Sequence, residues 1–252
     1  MRLWRIQRNA DLDVDSRPEA DQFAVGDFLI RNGDDGAQVV ADGGDDAIAV
    51  IRRFDGVDDD TADRLADLKR SGDLDTSDLN RLENALDNGE IDGRDLRRAS
   101  ELLSNEEGYR GENVEADDIL RVSEQRGDIS EIIAVTKDTD GNVVWLEEGR
   151  LTSETRQSGE WIKDNGGSGW RHIAHNRLSN PNGNQFLQYG DEYTDIEAVK
   201  RLVFTALDDG DRVRVDGDIF YQYREPDSGR YISVLVGENG YAVTVKPTKV
   251  TG

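Results

Sequence analysis

Four runs, Arg212 to Val215, Ile219 to Arg224, Tyr231 to Val236 and Tyr241 to Val245, are separated only by short turn-forming stretches. Those stretches are Asp-Gly-Asp, Pro-Asp-Ser-Gly and Glu-Asn-Gly, and the runs are rich in β-branched and aromatic residues. Strands joined this tightly must pair antiparallel, because a parallel pair needs a crossover of a dozen or more residues. Just before them, Thr194 to Leu207 places Ile196, Val199, Leu202, Val203 and Ala206 at helical spacing, with Gly210 near its end. A helix followed by four consecutive strands gives an α+β fold with a four-stranded antiparallel meander.

Upstream, the period changes. Gly72-Asp-Leu-Asp75-Thr-Ser-Asp78-Leu79 matches Gly89-Glu-Ile-Asp92-Gly-Arg-Asp95-Leu96 at an offset of 17, and Val57-Asp58 and Val114-Glu115 open looser copies. An acidic N-cap, a second acid three residues on, and apolar residues at helical spacing predict short capped helices. A calcium reading fails on spacing: an EF-hand loop begun at Asp73 needs Gly at its sixth position and Glu at its twelfth, where the chain has Asp78 and Asn84. The same test rejects Asp138 to Asn142, which instead forms the turn of a hairpin between Ile132–Val135 and Val143–Trp145. In residues 1–55, short apolar stretches (28–30, 39–40, 47–51) among Asn-Gly, Asp-Gly and Gly-Gly pairs read as short strands. The expected organisation is an acidic N-terminal module, 1–126, of short strands then capped helices, and a second domain, 130–252.

Charge bounds the chemistry. The 252 residues carry 54 acidic and 31 basic side chains, a net −23, and no cysteine. Thiolate nucleophiles and thiolate metal sites are excluded. Such a surface suits a salt-loaded cytoplasm, pointing to a halophilic host or its virus. No run approaches a membrane span, and the start lacks the long apolar core of a secretory leader. The charge is uneven: residues 1–160 carry a net −21 and residues 161–252 a net −2. The near-neutral segment has kept its cations, as an anionic ligand would require, or it is a strand-rich domain with less surface to decorate with acids.

That segment holds both histidines of the chain, His172 and His175, in Gly169-Trp-Arg-His-Ile-Ala-His-Asn-Arg177. Imidazole is the side chain whose ordinary pKa lies where protons move at neutral pH, so acid–base capacity is concentrated here. On an α-helix, positions three apart share a face. A structural reading stands beside it, in which one of the pair is a packed, hydrogen-bonded histidine.

The order Trp145-Leu-Glu-Glu-Gly149, Gly169-Trp-Arg-His172-Ile173, a helix containing Ile196, Tyr221-Gln-Tyr223-Arg224, Ile232-Ser-Val234 and Asn239-Gly-Tyr-Ala-Val-Thr244 before Pro247 resembles the phage-associated nuclease domains of the barnase/EndoU/colicin/RelE superfamily. The resemblance covers about residues 130–250. Where the family follows its first histidine with an Arg-His pair, this chain has His175 and Arg177 in shifted places. The resemblance implies metal-independent RNA cleavage with no cofactor. It implies His172, His175, Arg224 and Thr244 as catalytic candidates, and Arg171, Arg177, Tyr223 and Lys246 as RNA contacts. Expected partners are RNA and an inhibitor (immunity) or virion protein bound by the N-terminal module, with no membrane. The competing expectation is a virion or partner-binding protein that keeps the fold without activity.

Overall fold

The computed structural model describes residues 19–151, 155–157, 160–162, 167–179 and 183–251, and for 150, 151, 155–157 and 160–162 the backbone alone. In the polar stretch 150–169 the large apolar side chains of Trp161 and Ile162 suit an anchoring role, which lies outside what is described. The chain divides into two compact units. The first comprises the described residues to Glu107 with Glu115–Leu120; the second comprises Gly108–Val114 and the described residues from Arg121.

The first unit is helical throughout, and here the expected N-terminal strands are corrected. Residues 28–30, 39–40 and 47–51 all lie in α1 (Glu19–Arg53), which kinks at Gly33 (φ 62°) and Gly44 (φ 55°). Val25, Phe28 and Leu29, then Val40, then Ala47, Ile48 and Ile51 are buried at helical spacing. The Asn-Gly and Gly-Gly pairs therefore supply kinks in a conformation that suits glycine, not hairpin turns. The aspartates after each kink, Asp34-Asp35 and Asp45-Asp46, open the next helical piece, where the helix dipole favours negative charge.

The repeated segments are α2 (Asp59–Ser71), α3 (Thr76–Asp87) and α4 (Gly93–Leu103), each with an aspartate at its N-cap: Asp58, Asp75 and Asp92. Asp75 with Asp78, and Asp92 with Asp95, form reciprocal capping boxes. Leu79, Leu82, Leu96, Leu102 and Leu103 are buried beneath them. The aspartates of the repeat thus serve backbone N–H groups. The Arg94 guanidinium, with the N–H groups of Asp95 and Arg94, holds the Asp92 carboxyl below its ordinary value. Asp92→Ala is expected to cost about 1 kcal/mol in urea unfolding at pH 7. A depressed carboxylate contributes fully above the unfolded value near 3.9 and loses its contribution as pH falls through the folded one, so the difference from wild type should shrink toward pH 3.

In the second unit, β1 (Tyr109–Arg110) runs parallel to β2 (Ile132–Lys137), which pairs antiparallel with β3 (Val143–Glu147). The Asp138 carboxylate closes the β2–β3 turn by accepting from Asp140 N (3.0 Å) and Asn142 N (2.8 Å), and takes the Tyr221 hydroxyl at 2.8 Å. Short pieces follow: β4 (Arg150–Leu151), β5 (Thr155–Gln157), β6 (Glu160–Ile162) and β7 (Gly167–Ser168). The meander is as expected: β8 (Asp211–Val215), β9 (Asp218–Arg224), β10 (Tyr231–Val236) and β11 (Ala242–Lys246), antiparallel in the order β11-β10-β9-β8.

On the sheet's inner face, Tyr221, Ile232, Val234, Ala242 and Val245 pack against Val199, Leu202, Val203 and Ala206 of α6, the helix Ile196–Asp208. Ile196 itself, expected on that face, is the first helical residue and is exposed. The outer face carries the register rows Phe220, Leu235, Thr244 and Gln222, Ser233, Lys246. Residues after β11 cross it: the buried Ser233 hydroxyl donates to Thr248 O (2.8 Å) and the Gln222 amide to Val250 O (2.6 Å). Among the described residues, no helix is long and apolar enough to cross a membrane.

Candidate functional site

The histidine segment is seated by two glycines. Gly149 (φ 71°) and Gly169 (φ 75°) pass so close that a Cβ on Gly169 would lie 2.7 Å from the Glu147 carbonyl oxygen and 2.9 Å from the Gly149 Cα. Only glycine fits there, and the segment departs from β3 at a fixed point. Arg171 completes the clamp: its N–H donates to Glu148 O (2.9 Å) and its Nε to Glu148 Oε1 (3.1 Å).

The residues Gly169–Ile173, between α5 (Ala116–Glu124) and α6 in chain order, form one α-turn with Trp170 and Ile173 in the core and Arg171 and His172 facing outward. The next five, Ala174–Leu178, form a π-turn closed by Ser179 N donating to Ala174 O at 3.0 Å. Five-residue bonding widens the turn, so residues four and five apart stack where three and four apart do in an α-helix. Asn176 and Arg177 therefore take the places beside His172, while His175 is exposed.

The Asn176 amide nitrogen lies 3.0 Å from His172 Nδ1 and 3.2 Å from Nε2. Arg177 reaches the edge strand of the meander, with Nε donating to Val245 O (2.9 Å) and Nη1 to Gln185 Oε1 (3.2 Å). His172 is half-buried, and burial, the Arg177 guanidinium and His175 all hold its pKa below the ordinary imidazole value. The ring is therefore a neutral proton acceptor at neutral pH.

The other candidates are distributed more widely. Thr244 immediately precedes the carbonyl that Arg177 grips, but shares the outer-face row of Leu235 and Phe220. Lys246, also on that face, lies with Nζ 4.6 Å above the Phe220 ring. Arg224 closes its own hairpin by donating Nε to Gly229 O (3.0 Å). Tyr223 is on the inner face, its pKa raised by burial and then by Asp209, Glu225 and Asp227, a carboxylate setting that opposes phosphate. Both belong to β9, two strand spacings or about 10 Å in from β11. Arg171 is engaged with Glu148.

His172, His175 and Arg177 thus gather on one segment at the edge of β11. Asn176, four positions from His172, was within reach of helical spacing but was not singled out; Gln185 and the Val245 carbonyl were not anticipated, because apolar periodicity carries no signal for the π-turn that turns Arg177 toward them. Compared with known proteins, the chain matches no family model and no curated protein.

Proposed function

We propose that the second unit is a metal-independent endoribonuclease in which His172 is the general base. What supports this reading most is one juxtaposition: a half-buried imidazole kept neutral next to a guanidinium that is itself anchored on a sheet edge. The neutral ring nitrogen takes the proton of a ribose 2′-hydroxyl, and the 2′ oxygen attacks the adjacent phosphorus. The bond to the 5′ oxygen breaks, and the exposed His175 is the group that gives that oxygen a proton. Arg177 carries further N–H donors on Nη2 for the charge that builds on the phosphorane. The products are a 2′,3′-cyclic phosphate and a free 5′-hydroxyl. In a halophilic host or its virus, RNA would be recognised by such short-range contacts, since at molar salt the Debye length falls to about 3 Å. The acidic first unit would then serve an inhibitor or virion partner.

A second reading, a partner-binding protein without activity, is favoured by the cations that are already engaged within the chain: Arg171 with Glu148, Arg224 with Gly229 and Lys246 over Phe220. Incubation with RNA in molar KCl and EDTA separates the two. Cyclic-phosphate ends are expected; intact RNA assigns the protein to the second reading, and cleavage that appears only when metal is added overturns the metal-independent one.

A further inference from the structure

We propose that Asn176 is a positioning residue for His172: its side-chain amide donates to the unprotonated ring nitrogen and so holds the imidazole neutral and in one plane. The role of a base in RNA cleavage rests on the reading above; the contact itself does not.

The geometry is direct. The amide nitrogen sits within hydrogen-bond distance of both ring nitrogens, 3.0 and 3.2 Å. An amide NH2 can only donate, and a neutral imidazole has one nitrogen able to accept, whereas an imidazolium has none. Protonating His172 therefore sets two donors against each other. The backbone favours the approach, because a residue four positions on lies beside the ring in an α-turn and in the π-turn closed by Ser179 N and Ala174 O alike. In a regular α-helix continuing from Ile173, His175 would take a share of that position.

The charged groups around the ring are accounted for element by element. On its own segment Arg177 and His175 act on it, both against protonation. Of the groups on neighbouring elements, Glu148 is turned to Arg171, Glu147 of β3 to the Trp145 indole and Asp128 N, Lys200 of α6 to the Trp170 ring and Lys246 of β11 to Phe220. The Arg177 and His175 contributions are Coulombic and weaken with salt, since the ring is only partly buried. A hydrogen bond at 3 Å is not screened in that way. Asn176 thus joins burial, the first cause of the lowered value, in the salt-resistant share of the bias toward the neutral ring.

With only two histidines in the chain, imidazole NMR titration of the full-length protein gives two resonance sets, and His175→Gln assigns them. In Asn176→Ala the His172 midpoint is expected to move up toward the ordinary imidazole value, and in Asn176→Asp further up, because a carboxylate accepts from the imidazolium. Both shifts should persist in molar KCl. For cleavage, the acidic limb of the pH–rate profile should move by the same amount while the rate at the maximum stays within about tenfold of wild type. A His172 midpoint unchanged in Asn176→Ala at both salt concentrations overturns the proposal. Should the alanine variant not fold, an unchanged midpoint in the near-isosteric Asn176→Asp does the same. Shifted titration without any wild-type cleavage removes the nuclease reading and leaves the positioning role; cleavage with an unmoved titration does the reverse.

Discussion

His172→Ala is expected to lower RNA cleavage by about 10²- to 10⁴-fold, the usual effect of removing a positioned proton acceptor. The loss should fall on kcat with KM little changed, because the imidazole acts on the 2′-hydroxyl as it reacts and Arg177, the phosphate contact, remains. Folding should survive, since Trp170 and Ile173, not His172, anchor the segment in the core. Stability itself carries a second signature. Burial, Arg177 and His175 hold His172 below its ordinary value, so as pH falls the unfolded chain takes up the proton first. The contribution is complete above the unfolded value near 6.5 and is lost as pH falls through the folded one. His172→Gln should flatten that decline in urea unfolding between neutral and mildly acidic pH. Wild-type rates in the alanine variant would mean that another base, or a contaminating nuclease, does the work.

The parts of the fold legible in sequence are those where local chemistry and burial agree. The meander was readable because its short turns leave antiparallel pairing as the sole solution, and the 17-residue repeat because each aspartate cap precedes its own apolar stripe. Residues 19–53 were misread for the converse reason. A glycine pair breaks a helix and closes a hairpin with equal ease, and the choice is made by burial of Phe28, Val40 and Ile48 at helical spacing over a longer span. At the site, two local irregularities decide the geometry. The π-turn exchanges His175 for Arg177 beside His172, with Asn176 next to the ring in either geometry. In β11, the register shift that pairs Leu235 with Thr244 and Val236 with Ala242 leaves Val243 as an extra residue. Ala242 and Val245 can then both face the core, three positions apart, and Thr244 and Lys246 are sent to the outer face. Strict alternation cannot anticipate either.

Trp145→Ala should be the most destabilising single change in the second unit, at about 3–5 kcal/mol in urea unfolding. The side chain is fully buried, meets the Tyr241 ring edge-on at 6.2 Å, and its backbone N–H donates to Gly240 O at 3.0 Å where β3 meets the start of β11. Its indole also donates to Glu147 Oε1 at 2.9 Å, so two losses are combined: a cavity, and one of that buried carboxylate's hydrogen bonds, the Asp128 N–H remaining. Trp145→Phe separates them, retaining a ring while deleting the donor, at an expected cost of about 1–3 kcal/mol at neutral pH. Burial raises the Glu147 pKa, against the pull of Asp128 N and the indole. A raised carboxyl contributes most below the unfolded value near 4.3 and loses that contribution as pH rises through the folded one. Without the indole donor that loss deepens, so the Trp145→Phe deficit should shrink as pH falls below that unfolded value, where Glu147 becomes neutral in both states. The alanine deficit, set chiefly by the cavity, should change far less. Equal pH dependence in the two variants would place the whole effect in packing and leave the indole bond to Glu147 with no share of it.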